Sequence, residues 1–551
     1  MSLHKMIDDP SRVIVDACRA AARRSADLRF VERPGYFTRR ERTTDGRVAV
    51  MSGGGSGHEP LHSGFVGAGM LDAAVPGSVF TSPNALQIEA AMRAVEAGAG
   101  VIHVVKNYTG DVINFRIAAD LCAADGITVE TVLVADDVAS ESEDGPGRRG
   151  TAATVAVEKI CGAAAARGDD LASVAALGRR VAEGARSMAV AFRPCTVPGA
   201  SSPSFELGDD EVELGVGIHG ERGTARVATL TATEIAEALL GPVADSLGLS
   251  GGEDVVLIVN GLGATHPLEL DIVFGAALRY LEGRGITVRR TLVGSLVTAF
   301  DMAGVSLTAV RCDDEILGLW DAATEAPAWP RSPAQDLHDD AVDDTDAAAA
   351  SELPGGAADP FVTTWVSSFV ERVRSSIDEL TDLDRRAGDG DFGVNMEIGL
   401  ADFAVDESAS PAAVFEILAR GFLGNAGGTS GALFGAFFHR VSVALDGPGA
   451  STASIAAGVA DGLAAITDLG GAQPGDKTMV DALYPASRAL GDAGSVELSA
   501  ALAAAAEAAT RGAESTTDTV AQRGRASYIG DAARGVIDPG ALVVSWFFAA
   551  A

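Results

Sequence analysis

Apolar and polar positions change rhythm once along this chain. Through residues 1–330, short β-branched runs at 48–51, 101–105, 129–134 and 255–259 run out into Gly, Asn or Asp and alternate with Ala-rich stretches of helical period. That alternation predicts α/β layers with function at strand ends. A break near 185–200, carrying Arg-Pro-Cys-Thr-Val-Pro, divides this part into two subdomains. Over 331–359 Pro, Asp and Ala dominate, with Asp-Asp repeats and then Leu-Pro-Gly-Gly, the composition of an exposed linker. From Phe361 onward strand signals fade and Ala/Leu patterns broken by Gly-rich loops predict an all-helical part of six to eight helices over 360–551.

Composition narrows the class. A chain of 551 residues, 47% hydrophobic, can bury two or three cores and is multidomain. A net charge of −34 argues against nucleic acid and anionic membranes as partners. The five cysteines are dispersed without a Cys-x-x-Cys pair, the pattern of reduced buried thiols in a cytosolic protein. The N-terminus lacks a signal pattern and no apolar run reaches membrane-spanning length, so a soluble intracellular protein is expected.

Three motifs of the first part can carry chemistry. Ser-Gly-Gly-Gly-Ser-Gly-His-Glu-Pro over 52–60 follows a strand, so backbone N–H groups can approach a small polar ligand beside His58. It is neither Gly-x-Gly-x-x-Gly nor a Walker loop, and a plain tight turn would use the same glycines. Lys-Asn-Tyr-Thr-Gly-Asp over 106–111 sets Asp111 at a strand end, placed for a general base or for a turn. Glu-Leu-Gly-Val-Gly-Ile-His-Gly-Glu over 213–221 leaves His219 uncrowded between glycines. A neutral imidazole there can attack a carbonyl or simply hold structure. His266 reads as structural.

In the second part, Leu-Asp-Arg-Arg-Ala-Gly-Asp-Gly-Asp-Phe-Gly over 383–393 brings Asp384, Asp389 and Asp391 together, with glycines that favour a loop over a helix. Converging carboxylates suit a hard divalent ion such as Mg²⁺ with phosphates; a solvated acidic turn is the competing reading. An EF-hand fits poorly, because counting from Asp389 puts Leu400 where a bidentate Glu belongs. Gly-Asn-Ala-Gly-Gly-Thr-Ser-Gly over 424–431 precedes a helical run and can cradle an anion or serve helix packing. Pro-Gly-Asp-Lys-Thr-Met-Val-Asp over 474–481 supplies the only Lys of this half. Arg-Gly-Arg-Ala-Ser-Tyr over 523–528 offers Arg525 to a phosphate, with Arg523 as a solvated charge.

In series these motifs resemble the ATP-dependent dihydroxyacetone kinases of the single-chain type, over the whole chain apart from the linker. The resemblance implies an α/β ketose-binding part followed by an all-α helical barrel that binds Mg-ATP. It implies a covalent hemiaminal between His219 and the substrate carbonyl, with Gly55 and His58 on the hydroxyls, His58 also assisting proton transfer, and Asp111 as base. It also implies Asp384, Asp389 and Asp391 as ligands of two Mg²⁺. Phe392, Gly393, Val394, Asn395, Thr429, Ser430, Gly470, Met479, Arg525, Asp538, Pro539 and Gly540 would surround the nucleotide. Relatives often carry a polar residue or His where this chain has Phe392, and Val112-Ile113 is less polar than in many relatives, which bears on the sugar.

The expected activity is phosphorylation of a terminal hydroxyl of dihydroxyacetone by a cytoplasmic homodimer. Erythrulose is the alternative substrate. A non-catalytic ketone sensor and an FMN cyclase acting on FAD are the rivals from other classes.

Overall fold

The computed structural model describes residues 5–41, 46–141, 147–330, 337, 352–447, 449–523, 527 and 530–551. Most of the 331–359 stretch, together with Arg525 and Tyr528, lies outside the described residues. The chain forms two compact units, 1–341 and 342–551.

The first unit holds two six-stranded sheets. One is built from β1 (Leu28–Val31), β2 (Tyr36–Arg39), β3 (Ala49–Ser56), β4 (Ala73–Val79), β5 (Val101–Lys106) and β6 (Val129–Val134), in the order β1-β2-β4-β3-β5-β6. β3 runs parallel to both β4 and β5, so the chain leaves β3 towards one neighbour and returns by way of the helix Ala85–Val95 on the other. Loops diverge at such a reversal, and the ends of β3 and β5 therefore open a crevice. The glycines of 53–55 lie inside β3, which runs on to Ser56 where the β-branched run alone suggested an earlier stop.

The second sheet comprises β7 (Ala185–Arg193), β8 (Glu211–Leu214), β9 (Ala225–Ala228), β10 (Asp254–Gly261), β11 (Thr287–Gly294) and β12 (Ala303–Arg311). Its order is β11-β10-β12-β7-β8-β9, parallel only between β10 and β11. The helix Ala153–Arg167 is buried along thirteen consecutive residues and shares one core with Val50 and Val104 of the first sheet and Val256 and Ile258 of the second. A helix enclosed on all faces must be apolar all round. Ala, Val, Ile and Cys meet that need, and Glu158 and Lys159 are the exceptions. All five cysteines are free thiols.

The second unit is all-helical, with nine α-helices among the described residues from Pro360–Arg374 to Pro539–Ala549. The excess over the expected six to eight arises at the Asp-rich stretch. Ile377–Ala387 takes Asp384 into its last turn, the loop shrinks to 388–391, and Phe392–Leu400 restarts at once with Asp391 as its N-cap. The first helix packs on the last, closing the ring. Phe369, Phe415, Phe422, Phe434, Phe438 and Phe547 fill the centre, where the Trp365 indole N–H donates to the Phe547 carbonyl at 2.6 Å. The helix Thr452–Gly470 is long and apolar enough to cross a membrane by length and composition, contrary to expectation. It carries Asp461 and Asp468 and buries Ile455, Val459 and Ile466 in this core, which accounts for its apolar content.

Candidate active site

In the first unit three loops deliver the side chains. β3 leads into His58, β5 leads into Tyr108 and Asp111, and the connection from β8 to β9 carries His219. His58 and His219 meet edge to face with ring centroids 4.7 Å apart. Phe80 stacks on His58 at 5.1 Å, and Tyr108 stands edge-on to His219 at 4.4 Å. Gly55 is obligatory for this packing, because a Cβ there would come within 2.6 Å of the Thr81 amide nitrogen and collide with Phe80.

Hydrogen bonding fixes both imidazoles. His58 Nδ1–H donates to the Thr298 carbonyl at 2.7 Å, leaving Nε2 with a lone pair. Burial, then the neighbouring His219 and Lys106, pushes His58 well below its ordinary range, so it is neutral. His219 turns Nδ1 to Glu221 Oε1 at 3.3 Å, and its backbone N–H donates to Oε2 at 2.9 Å. Burial alone would raise Glu221, but the hydrogen bond and charge of His219, with Arg149, outweigh it and hold the carboxyl at about 2. The His219 ring is thereby oriented with Nδ1 engaged and Nε2 free to act.

Three buried polar atoms here have no hydrogen-bond partner among the described residues: His58 Nε2, Tyr108 Oη and Asp111 Oδ1. Buried polar atoms are ordinarily satisfied, so such a concentration marks a place where a polar ligand belongs. Sequence reasoning missed three further groups. Lys106 is fully buried, with Nζ 3.5 Å from Asp111 Oδ2 and 3.0 Å from His62 Nε2, and His62 Nδ1 lies 2.6 Å from Glu158 Oε1. One signal was available. Lysine occurs four times in the chain, and a charge closing an apolar strand calls for a partner. His266 caps the helix Pro267–Gly283, accepting the Leu268 N–H.

In the second unit a cavity of ≈ 210 Å³ gathers residues from distant motifs. Asp384, Asp389, Asp391, Phe392, Asn395, Thr429, Ser430, Gly470, Met479, Asp538, Pro539 and Gly540 all line it. Gly393 and Val394 do not. Phe392 and Asn395 are three apart and share the helix face towards the cavity, whereas Gly393 packs against Thr381 and Ile377, and Val394 turns outward. Arg523, expected to be merely solvated, lines the cavity. Lys477 also lines it, yet its ammonium donates to the Thr516 and Val536 carbonyls at 2.5 and 2.6 Å, tying two loops together.

One oxygen from each of Asp384, Asp389 and Asp391 falls within 4.8 Å of the others. Asp384 Oδ2 accepts the Gly390 and Phe392 N–H groups at 2.9 and 3.1 Å, which folds the loop. Burial raises the Asp384 carboxyl above its usual range, and Asp389 and Asp391 add to this. Asp538 is raised to about 7, chiefly by burial. Hard oxygen donors crowded against their own repulsion fit a divalent cation of the Mg²⁺ type.

The chain matches the Dak1 domain over 19–328 and the DAK2 domain over 386–551. It is 40% identical to the human triokinase/FMN cyclase, over 91% of this chain and 90% of that protein. It is 39% identical to the L-erythrulose 1-kinase of Mycolicibacterium smegmatis, over 98% and 97% respectively. The dihydroxyacetone kinase of C. freundii, solved with AMP-PNP and Mg²⁺, superposes with a TM-score of 0.65 at 30% identity over 99% of both chains.

Proposed function

This chain belongs to the single-chain dihydroxyacetone kinase family and is an ATP-dependent kinase of small ketoses; we propose that it phosphorylates a terminal hydroxyl of dihydroxyacetone. The observation that carries this reading is the set of unpartnered buried atoms around His219. A three-carbon ketone has a carbonyl for His219 Nε2 and hydroxyls for His58 Nε2 and Asp111 Oδ1.

In this reading the His219 Nε2 lone pair forms a C–N bond to the carbonyl carbon. The carbonyl π pair moves to oxygen, which takes a proton from solvent, and the product is a hemiaminal. Nδ1–H stays on the ring against Glu221, whose negative charge offsets the cation that forms. Glycerol has no carbonyl and is not captured. Asp111 accepts the proton of the terminal hydroxyl as that oxygen attacks the γ-phosphorus, the bond from this phosphorus to the β,γ-bridging oxygen breaks, ADP leaves with the electron pair, and the adjacent Lys106 ammonium balances the Asp111 charge.

Asp384, Asp389 and Asp391 would hold Mg²⁺, two ions in our proposal, which supplies charge neutralisation at the phosphates when bound. Thr429 and Ser430, in the first turn of the helix Gly428–Leu445, bring hydroxyls and free N–H groups to phosphate. Met479, Pro539 and Gly540 would flank the base. We place the enzyme in the cytoplasm as a homodimer and keep Arg525 as a nucleotide contact.

Capture is tested by native mass spectrometry with dihydroxyacetone. The wild type is expected to gain one adduct that maps to His219, and His219→Ala none. An adduct retained in His219→Ala would refute the assignment. Erythrulose is the second reading, favoured by the likeness to an erythrulose kinase, and the same chemistry would serve it.

A further inference from the structure

Behind Asp111 and its Lys106 partner stand two buried ionisable side chains, His62 and Glu158, that the proposed chemistry does not use. Lys106 Nζ stands 3.5 Å from Asp111 Oδ2 and 3.0 Å from His62 Nε2, and His62 Nδ1 lies 2.6 Å from Glu158 Oε1. None of the four side chains is more than 4% exposed. Glu158 comes from the enclosed helix Ala153–Arg167, His62 from the loop after β3, and Lys106 and Asp111 from the end of β5 and the helix that follows. Gly54 keeps the row open, because a Cβ at that position would overlap Lys106 Nζ.

The donors and acceptors allow one arrangement. An ammonium can only donate, so His62 Nε2 must accept. A neutral imidazole with its lone pair on Nε2 carries its proton on Nδ1, and that proton must go to Glu158 Oε1. Burial, then the Lys106 charge, keeps His62 neutral. A buried row of this kind costs desolvation that apolar side chains would avoid. The row abuts Asp111, whose Oδ1 is unpartnered among the described residues and faces the site.

We propose that Glu158 and His62 are positioning residues, which fix the His62 tautomer and through it hold the Lys106 ammonium against Asp111. The proposal rests on reading Asp111 as the base. Without an acceptor at position 158, His62 can move its proton to Nε2, where it confronts the ammonium donor to donor. Lys106 then swings away and Asp111 loses its counter-charge and its place.

The test compares Glu158→Met, which removes the acceptor at similar volume, with Glu158→Gln, which restores an acceptor oxygen. Glu158→Met is expected to lower kcat with dihydroxyacetone about 100-fold, the scale of a small displacement of a reacting group, with KM for ATP unchanged. Glu158→Gln is expected to recover at least about tenfold of that loss. Histidine ¹⁵N NMR of the wild type should show His62 neutral and protonated on Nδ1, a readout that stands even if Glu158→Met does not fold. A wild-type kcat in folded Glu158→Met, an equal loss in both variants, or a His62 proton on Nε2 would each overturn the proposal. If Asp111→Asn itself keeps its kcat, the reading of Asp111 as base fails first and this proposal falls with it.

Discussion

The two sites of this protein solve opposite electrostatic problems. In the first unit the charges come already paired: Asp111 with Lys106, and Glu221 near Arg149. Cation and anion are buried together, and what is left without a partner among the described residues is three polar atoms, His58 Nε2, Tyr108 Oη and Asp111 Oδ1. In the second unit Asp384, Asp389 and Asp391 converge on one point, and the Lys477 ammonium nearby is taken up by two carbonyls. In the proposed reading the first site takes a neutral molecule, and the second is completed by a cation and its polyanionic ligand. The difference teaches which perturbations each will tolerate: removing one group from a paired site strands its partner, while removing a carboxylate from the cluster is expected to weaken ion binding, and at Asp384 also to release the Gly390 and Phe392 N–H groups that fold the loop.

The largest effect that sharpens this contrast is expected at His219. His219→Ala should abolish the adduct, raise KM for the ketose sharply and lower kcat/KM by about 10³-fold or more, since covalent capture and orientation are lost together. Steady-state kinetics check this, and unchanged kcat/KM would break the account. Asp111→Asn comes next. It should lower kcat about 10²- to 10⁴-fold with little change in KM, the behaviour of a group acting in the transition state. An effect confined to KM would make Asp111 a binding group only.

On the other side of the comparison, Asp389→Ala should remove the metal-dependent part of ATP affinity while leaving dihydroxyacetone capture intact. Calorimetry of nucleotide binding with and without Mg²⁺ reads the first, adduct mass the second. In the wild type, Mg-ATP at 100 times its Kd should stabilise the unit that binds it by about 2.7 kcal/mol. Wild-type Mg-ATP affinity in the variant would rule out Asp389 as a ligand.

The smallest effect is a pH dependence of the first unit's stability. Burial raises the Glu158 carboxyl to about 8 from the ordinary 4.5, so the folded state holds a proton that the unfolded state has released. Stability therefore falls as pH rises between those values and levels off above about 8, with a slope of at most about 1.4 kcal/mol per pH unit. His58 and His62 are depressed by burial and act oppositely. Their contribution is full above 6.5 and is lost as pH falls below it. Between 6.5 and 8 Glu158 opposes only the onset of Lys159 titration, which burial lowers to about 8, so Glu158→Gln should reduce the downward slope of the first unit's denaturation profile there. An unchanged slope would mean that the carboxyl is not protonated in the fold.

The sequence was most legible where chemistry is local. Glycines beside His58 and His219, and three Asp residues in one short stretch, point to ligand sites because few other purposes need those neighbours. The helical half was legible from its period, yet the Asp-rich stretch misled. Its glycines suggested a long loop, whereas Asp384 belongs to a helix that ends only at Ala387, the helical pattern from Ile377 outweighing nearby Gly. Val394 was placed at the nucleotide by motif alone, and helical geometry turns it outward. Glu158 was invisible, since nothing in Ala-Val-Glu-Lys-Ile says that both charges are buried. That fact comes from two sheets closing on one helix, and only tertiary packing decides it.

The most direct test of the central claim is ADP release with Mg-ATP, comparing dihydroxyacetone, D-erythrulose, L-erythrulose and glycerol by kcat/KM. The account predicts turnover of the ketones with dihydroxyacetone highest and none with glycerol. Turnover of glycerol would contradict capture of a carbonyl at His219, and preference for an erythrulose would contradict the assigned substrate.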